Sequence, residues 1–596
     1  MENKNFKLRL LEWLHHFGIG DEAVFYFVTI IIGVVAGLAA VAFHLTLGLL
    51  HGLFFGSRDL SEILRPWYII PLIPAGGALA AALLLRAVPE ARGSGIPQTK
   101  IAYIVNNGFI PARVWIGKFF ISVLNIGTGS SLGREGPTVQ ICAGIASWMG
   151  QIFTLGRSNT RSLVPVGAAA GLAAAFNTPI AAITFTLEEL VGDLNAKVLG
   201  SIVAASITAS IVTRALLGNY PAFEIPSYAL ASYLELVPYA IVGVVCAGVG
   251  VLFKRGLLFV RKRWLRLSGG RVILATTLGG LAVGVIGIWV PHVFGVGYPW
   301  VTRAMIDGYT TWFFIVLLVL KIVATIISYG TGSSGGIFAP ALFIGAMAGG
   351  TVASIAQALF PELIINTGGY ALVGMGAAFA AIVRTPMTSV IMIFELTQDY
   401  NIILALMVAN TISYSLSRYW DPEPLYSALS SQDGVQLPNH ETEHLLHEIH
   451  VSDAMVQEVT TLNARLTIKE AIAQTEALDF AGFPVVDDGG LLLGIISAAE
   501  LRQAQAAGLD GQEVIETATT KYVIHAHPDQ SLDSVMAKLG ARNFSRLPVV
   551  SREDPTRLLG IITVEDIMNT FGNSLAAAET GGKNGPGKDM MGLRST

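Results

Sequence analysis

The sequence predicts an α-helical polytopic membrane domain with broken and re-entrant helices, followed by a cytosolic α/β domain, and three observations lead to this fold class. The chain has 596 residues, of which 53% are hydrophobic and 13% charged, whereas soluble domains carry about a quarter charged residues. The apolar residues are concentrated before about residue 430, and the remainder has the composition of a soluble protein. Each of these two parts also contains an internal duplication.

Apolar segments long enough to cross a bilayer recur along the first part of the chain. We expect spans at about 24–55, 67–85, 198–217, 236–253, 272–290 and 312–327. The stretches 114–190 and 335–410 are also apolar, but Gly and Pro interrupt them repeatedly, which indicates half-helices and re-entrant segments. Irregular backbone at membrane depth is tolerated only where protein buries it or it lines a cavity, so the pattern favours a transporter or channel over a simple anchor.

Charge and cysteine content exclude several classes of function. The formal net charge is −4 without a basic stripe, so we expect no nucleic-acid partner. Cys142 and Cys246 are the only cysteines and lie in apolar stretches, which rules out a disulfide framework or a zinc-ligand spacing. We find no nucleophile–base pair and no phosphate-loop motif, and therefore do not expect an enzyme.

Basic residues predict the orientation in the membrane. A cluster follows the span at 236–253 and predicts a cytoplasmic loop by the positive-inside rule. Its members are Lys254, Arg255, Arg261, Lys262, Arg263, Arg266 and Arg271. The N-terminus carries Lys4, Lys7 and Arg9 and lacks a cleavable signal. We therefore expect a multi-pass protein of the cell (inner) membrane with both termini in the cytoplasm.

The membrane part repeats itself. Residues 127–137 (GTGSSLGREGP) recur as 330–340 (GTGSSGGIFAP), and Lys118 and Lys321 keep the same separation. Interrupted segments at matching positions of two halves are the best sequence pointer to a transport site.

A second repeated motif is followed by a glutamate in each half. Residues 167–179 (GAAAGLAAAFNTP) are echoed by 374–386 (GMGAAFAAIVRTP), and Glu188 and Glu395 each follow the final proline by nine positions. We expect Glu188 or its neighbour Glu189 to face an aqueous vestibule. The alternative is a glutamate that is satisfied at a helix end.

Three Gly-rich stretches end in proline: GSGIP at 93–97, GREGP at 133–137 and GIFAP at 336–340. Proline is favoured at the first position of a helix and glycine lets the backbone approach a ligand, so each stretch can present unpaired N–H groups to an anion. Binding by such groups can offset dehydration and still release the ion. The alternative is that these glycines only allow helices to pack closely.

Glu135 lies inside the second of these stretches. A carboxylate in an apolar setting is costly and indicates a functional site by default. Deprotonated, it can occupy the same helix-end cradle as an anion; protonated, it loses the charge that holds it there, so it can be both gate and proton carrier. The alternative is a structural ion pair with Arg134, which we disfavour because adjacent side chains on such a turn diverge.

These motifs, together with PLYS at 424–427, resemble the CLC family of chloride channels and proton-coupled chloride transporters over about residues 25–430. The resemblance implies an inverted-repeat CLC-type fold over residues 1–430, with inverted halves at about 25–218 and 232–430. It also implies a homodimer with one pore per subunit, in contact with membrane lipids. The central anion site that it implies is formed by Ser94, Gly95, Ile337, Phe338 and Tyr426.

Two glutamates match proton-handling positions of this family. Glu135 matches the external gate and proton acceptor, and Glu189 matches the internal proton-transfer residue of exchangers. The resemblance therefore implies exchange of chloride for protons without a required cofactor. A chloride channel gated by voltage or protons would share the anion contacts and lack the coupling, and a cation pathway would need converging carboxylates instead.

Two further positions bear on the choice of anion. Ser94 matches the chloride-selective members rather than the nitrate-preferring ones, and the intact GREGP argues against fluoride export. Gln98 stands where many members have glutamate, and we expect it to lie beyond the cradle.

The polar remainder holds a second duplication, in which FPVV and LGIIS match LPVV and LGIIT. Each copy predicts helix, strand, turn, strand and helix. The pair resembles cystathionine-β-synthase-type (CBS) domains, which are common regulatory modules in this family. We divide the region into a linker at 431–450, a CBS pair at 451–573 (about 451–510 and 516–573) and a disordered tail at 574–596.

CBS pairs often bind adenine nucleotides such as ATP, and Thr563 and Asp566 match the positions that hold the ribose. Ser497 and Glu500 stand there in the first copy, which favours one nucleotide site over two. The alternative is a purely structural dimerisation module. The linker also carries histidines at helical spacing, which we interpret as a solvated face rather than a metal site; they are His440, His444, His447 and His450.

Overall fold

The structure is a computed structural model, and it describes residues 21–58, 60, 63–153, 157–192, 196–218, 233–306, 308–361, 367–435, 448–475, 482–497, 500–501, 503–504, 515, 524–542, 546–570 and 574. The chain divides into two compact units, Met1–Leu437 and Pro438–Thr596. The predicted N-terminal lead-in, most of the linker with its first three histidines, and the tail beyond residue 574 lie outside the described residues.

The described part of the first unit is built from helices. In chain order they are α1 (Asp21–Phe55), α2 (Leu72–Leu84), α3 (Ile96–Ile104), α4 (Ala112–Gly127), α5 (Glu135–Ile152), α6 (Arg157–Phe176), α7 (Pro179–Phe185), α8 (Ala196–Leu217), α9 (Leu236–Trp264), α10 (Gly270–Trp289), α11 (Tyr298–Ile306), α12 (Thr311–Gly330), α13 (Phe338–Leu359), α14 (Thr367–Ile382), α15 (Pro386–Thr397), α16 (Ile403–Trp420) and α17 (Leu425–Gln432). A π-helical turn at Thr186–Val191 continues α7.

Six helices among the described residues are long and apolar enough to cross a membrane, namely α1, α8, α9, α10, α12 and α13. At the predicted span 67–85 the structure forms the shorter apolar helix α2, which has 13 residues. Pro66 and Pro71 bracket a turn in which the Ile69 amide donates to the Pro66 carbonyl, and the helix starts only after the second proline. The stretch 335–410 is interrupted as expected, since α13, α14, α15 and the start of α16 divide it. Helix α13 itself is continuous, and residues 338–350 of it are buried inside the protein.

The basic cluster does not form the predicted loop. Helix α9 continues to Trp264, so most of the cluster lies on this helix. Two of its side chains are buried against carboxylates: Lys254 Nζ lies 2.6 Å from Asp421 and Arg261 lies 2.5 Å from Asp433. Paired in this way, the two charges can be buried where the helix continues past the predicted span.

Contacts between equivalent residues indicate that a pseudo-two-fold axis passes between Gly133 and Gly336 and relates the two halves of this unit. These residues are equivalent in the repeat, and each amide donates to the carbonyl of the other at 2.7 Å. Hydroxyl pairs from equivalent positions flank this contact. They are Ser131 with Thr325 at 3.0 Å and Ser122 with Ser334 at 2.9 Å.

The structure also reveals a repeat that our sequence comparison missed. Residues 88–97 (VPEARGSGIP) and 290–299 (VPHVFGVGYP) form equivalent loops. The buried ammonium groups of Lys118 and Lys321 brace them, each donating to two loop carbonyl oxygens at 2.6–3.1 Å. The acceptors are Ala91 and Gly93 in the first half, and Val293 and Gly295 in the second.

The second unit contains two copies of a helix followed by an antiparallel strand pair. The elements are α18 (Val451–Ala454), β1 (Leu462–Asn463), α19 (Ile468–Thr475), β2 (Gly482–Val486), β3 (Leu492–Ser497), α20 (Leu532–Arg542), β4 (Arg546–Val550) and β5 (Leu558–Thr563). The register is the same in both copies: Pro484 faces Ile495, and Pro548 faces Ile561. Although α18 precedes the first copy in sequence, Val451 packs in the hydrophobic core of the second.

Candidate anion site and its glutamates

The three Gly-rich stretches meet at the centre of the first unit. A Cβ added to Gly95 would lie 2.4 Å from the Gly136 carbonyl oxygen, and one added to Gly136 would lie 2.3 Å from the Ser94 carbonyl oxygen. Gly95 also has a φ of 104°, which L side chains rarely adopt. These glycines therefore do serve close packing, and that packing brings the starts of α3 and α5 together.

The start of α13 fits an anion. Ile337 and Phe338 are buried, and Ile337 at the N-cap makes no side-chain hydrogen bond to this helix end. The first N–H groups of an α-helix have no partner within the helix, and the helix dipole favours negative charge at this end. The ring of Phe338 packs between Phe176 and Phe379, at 5.0 and 4.3 Å between centroids, which makes the surroundings apolar.

Ser94 and Tyr426 each place a hydroxyl in the buried interior. Ser94 Oγ accepts from the Ile96 amide at 3.4 Å. The Tyr426 hydroxyl has no hydrogen-bond partner among the described residues. A buried polar group without a partner is costly, so this hydroxyl is suited to donate to a ligand that the protein itself does not supply.

Gly95 cannot offer its amide to an anion in this conformation. The Gly95 N–H donates to Gln98 Oε1 at 2.9 Å. Gln98 therefore does not lie beyond the cradle, as the sequence analysis expected, but completes the start of α3. Gly95 therefore does not donate to the anion as predicted. Its role is to allow the turn before α3, which needs a positive φ.

Glu135 is fully buried at the start of α5. The Tyr298 hydroxyl donates to Oε1, whereas Oε2 lies toward the Ala339 amide. A Cβ on Gly133 would lie 2.5 Å from Oε2 and 3.1 Å from the Ala339 amide, so the carboxylate reaches the first turn of α13. Sequence reasoning missed Tyr298, although the repeated loop that carries it was readable.

Arg134 does not point away from Glu135 as we expected. Its Nε lies 3.9 Å from Oε1 of the neighbouring carboxylate, which is the outer limit of an ion pair. The guanidinium also contacts the ring nitrogen of His44 and lies over the Tyr298 ring at 5.6 Å from the centroid. Arg134, His44 and Tyr298 all line a cavity of about 810 Å³, so Glu135 lies directly behind the wall of this cavity.

Glu188 and Glu395 satisfy helix ends reciprocally. The Glu188 carboxylate accepts from the Met387 and Thr388 amides at the start of α15, at 3.2 and 2.8 Å. Glu395 accepts from the Ile180 and Ala181 amides at the start of α7, at 3.1 and 2.8 Å. For Glu188 the helix-end alternative is therefore correct, and each half caps a helix of the other.

Glu189 lies in the π-helical turn that follows α7 and is 7% exposed. Its Oε1 lies 2.9 Å from Nζ of Lys100, on α3. This lysine was not singled out in the sequence. π-helical turns occur often at functional sites, and here the turn directs the two neighbouring glutamates to different partners.

In the second unit, Thr563 and Asp566 bond to each other. Asp566 Oδ2 accepts from the Thr563 amide at 2.9 Å and from its hydroxyl at 2.7 Å. Ser497 and Glu500 form the equivalent pair in the first copy, with the Ser497 amide donating to Oε2 at 2.7 Å. Both are capping boxes at a helix start, so these residues have a structural role in addition to the predicted one. Within the described residues no group of three His, Cys, Asp or Glu could hold a metal ion.

Comparison with known proteins identifies the family. The sequence matches the voltage-gated chloride channel family over residues 76–418, which is more than half of the chain. The chain belongs to this family, the CLC family. Residues 451–507 and 514–573 match CBS domains. The predicted fold class, an inverted-repeat CLC membrane domain followed by a CBS pair, is thereby confirmed.

Several relatives of this CLC chain are transporters by name. The H⁺/Cl⁻ exchange transporter ClcA of Vibrio cholerae is 31% identical over 445 residues, which cover 72% of this chain and 94% of the relative. The ClcA of Cronobacter sakazakii is 32% identical over 412 residues, covering 67% and 87%.

Two solved structures are similar to the chain. A slow cyanobacterial Cl⁻/H⁺ antiporter matches with a TM-score of 0.63 at 27% identity, covering 69% of this chain and 97% of that one. A eukaryotic CLC transporter matches at 0.66 over 91% of this chain and 97% of its own, and at 19% identity it demonstrates the shared fold alone.

Proposed function

We propose that this CLC chain is an antiporter that exchanges chloride for protons across the cell (inner) membrane. The observation that carries the proposal is the fully buried Glu135 carboxylate, which reaches the start of α13. A carboxylate at a helix start occupies the position that a free anion would take. The bacterial relatives named as H⁺/Cl⁻ exchange transporters support the same activity.

The chloride site proposed here uses neutral donors. The hydroxyls of Ser94 and Tyr426 and the amides of Ile337 and Phe338 face a dehydrated anion. Such donors offset the loss of hydration and still allow release. Lys118 and Lys321 do not trap the anion because carbonyl oxygens of the loops already occupy their ammonium groups.

The proton path proposed here joins two carboxylates. Protonation of Glu135 removes the charge that competes with chloride for the cradle, so a proton enters as the anion site becomes free. Glu189 passes the proton to the other side of the membrane. Its ion pair with Lys100 at 2.9 Å stabilises the charged form of Glu189 between transfers.

Liposomes that contain the purified full-length protein test this proposal. With the voltage clamped by a potassium ionophore, a chloride gradient should drive protons uphill in the wild type. Glu135→Gln and Glu189→Gln should each abolish uphill proton movement, the second with chloride binding retained. Glu90→Gln is the matched control, because Glu90 is half-exposed in a surface pair with Arg113. Chloride flux without proton movement in the wild type would overturn the antiporter proposal in favour of a channel.

The assembly and its regulation form the remaining part of the proposal. We propose a homodimer with one anion site per subunit, surrounded by lipid, with both termini in the cytoplasm. The CBS pair binds one adenine nucleotide such as ATP, with Thr563 and Asp566 at the ribose. The mass of the purified particle tests the dimer, and equilibrium dialysis of the full chain with ATP tests the nucleotide; a monomeric mass or absence of binding would contradict the respective statement.

A further inference from the structure

We infer that the Tyr298 hydroxyl holds the Glu135 carboxylate in the anion cradle and thereby sets how readily chloride displaces it. The inference rests on the proposed function and adds a positioning residue to it. The Tyr298 hydroxyl donates to Oε1 of a carboxylate that is fully buried. In the equivalent loop of the first half this position is Ile96, whose side chain carries no donor. The donor therefore belongs to one half only, the half opposite to the glutamate.

The loop delivers this hydroxyl from a fixed position. Lys321 Nζ donates to the Gly295 carbonyl at 2.9 Å, and Gly297 has a φ of 86°, so the loop is braced just before Tyr298. The ring lies 6.3 Å from the Phe176 ring, measured between centroids, and the Arg134 guanidinium covers it. A phenylalanine would keep these ring contacts and lose only the donor.

The hydrogen bond favours the ionised, seated carboxylate. A bond from a neutral donor to a charged acceptor is among the stronger hydrogen bonds in proteins, and burial strengthens it further. Because Oε2 faces the Ala339 amide at the start of α13, Tyr298 fixes one oxygen while the other occupies the cradle. The charged and titratable groups around the carboxylate are Tyr298, Arg134, Tyr426 and, behind Arg134, His44.

Chloride binding to the purified full-length protein tests the inference by calorimetry. Tyr298→Phe should raise the apparent chloride affinity about tenfold at pH 7.5, because the competing carboxylate is held less firmly; tenfold corresponds to about 1.4 kcal/mol. The same substitution in a Glu135→Ala background should change the affinity by less than about twofold, since no carboxylate remains to be held. The gain should disappear at acidic pH, where Glu135 is protonated and no longer competes. Tyr239→Phe, which alters a buried tyrosine that stacks on Tyr370, is the control and should leave the affinity unchanged.

The outcomes separate the inference from the proposed function. An equal effect of Tyr298→Phe in both Glu135 backgrounds, or no effect in either, would overturn the inference and leave the antiporter proposal standing. Absence of chloride binding in every variant would overturn both. A Tyr298→Phe gain that depends on Glu135, in a protein that does not move protons uphill, would uphold the inference and refute the antiporter proposal.

Discussion

Glu135 is a carboxylate without access to water, and its surroundings explain how it can remain there. It receives a hydrogen bond from Tyr298, lies 3.9 Å from a guanidinium nitrogen and reaches the amide end of α13. These contacts compensate an ionised carboxylate in a site where burial alone would be prohibitive. Chloride can take the place of the carboxylate at the amides of α13. The same glutamate can therefore occupy the anion position when charged and accept a proton when chloride displaces it.

Asp566 in the second CBS copy gives a prediction with an internal control. Asp566→Asn and Glu500→Gln each weaken a capping box, so each should lower the free energy of unfolding by about 1 kcal/mol. Only Asp566→Asn should also reduce ATP binding by at least about tenfold, because only this copy has the threonine and aspartate expected at the ribose. Equilibrium dialysis with ATP and thermal unfolding of the full chain measure the two effects; equal loss of binding in both variants would refute the assignment.

At the residue scale, the sequence motifs predicted the candidate functional residues that lie at helix starts. They did not predict the residues from other segments that contact them. Glu135 and Ser94 were predictable because glycine and proline label their positions directly. Tyr298 and Lys100 come from segments distant in sequence, and only the folded chain brings them to Glu135 and Glu189. The repeat of VPxxxGxGxP would have drawn attention to Tyr298, but not to its partner.

At the scale of elements, the short helices α7 and α15 are held by the opposite half. Each begins at a proline in a Thr-Pro pair, and the threonine at the N-cap makes no side-chain hydrogen bond to the helix start. Glu395 and Glu188 supply the missing acceptors across the pseudo-two-fold axis. Mutual capping therefore explains the nine-residue spacing between proline and glutamate. The glutamate that follows α7 must reach the start of α15, and the glutamate at the end of α15 must reach the start of α7.

This exchange predicts a stability effect that is separate from transport. Glu188→Gln and Glu395→Gln should each lower the free energy of unfolding by about 1 kcal/mol, because a neutral amide interacts less strongly with a helix N-terminus than a carboxylate does. Thermal unfolding in detergent should show similar decreases for both variants, and Glu90→Gln should show almost none because its pair is exposed. Uphill proton movement should persist in both variants. A loss of coupling in Glu188→Gln would contradict the purely structural role.

Hydropathy predicted most of the long helices. It misplaced a helix end where a proline or a buried ion pair determines that end. Five of the predicted spans correspond to long helices, whereas 67–85 is shortened because proline fixes its start. The end of α9 was placed too early because the sequence does not show that Asp421 and Asp433 neutralise its basic turns. Hydropathy assumes that a charged side chain prefers water. A charge that is paired with a carboxylate inside the protein does not follow this preference, so it does not mark the end of a span.

At the scale of the whole molecule, duplication places the candidate site where the halves meet. The reciprocal bonds between Gly133 and Gly336 lie on the symmetry axis, and Glu135 and Phe338 follow them by the same number of residues in the two halves. Helix starts from both halves thus point to one centre, as expected for transporters built from inverted repeats. The sequence predicted this convergence from the repeats alone, but not which of the equivalent positions would carry the carboxylate.

The second unit should modulate transport without forming the site. The glutamates and hydroxyls assigned to exchange lie before residue 437, inside the first compact unit. A chain truncated after residue 437 should therefore retain coupled chloride and proton movement in liposomes, and should lose any response to added ATP. Truncated protein that folds as judged by gel filtration but moves chloride without protons would show that the CBS pair is part of the coupling machinery.

The central claim is that chloride and the Glu135 carboxylate compete for one position at the start of α13. Anomalous diffraction from bromide-soaked crystals of the wild type and of Glu135→Ala tests it most directly. We predict a bromide peak in the Glu135→Ala crystals beside the Phe338 and Ala339 amides, at the place that the carboxylate oxygen fills in the wild type, and no peak there in the wild type. Bromide bound in the variant only at other positions, or at this position while the wild-type carboxylate stays in place, would contradict the claim.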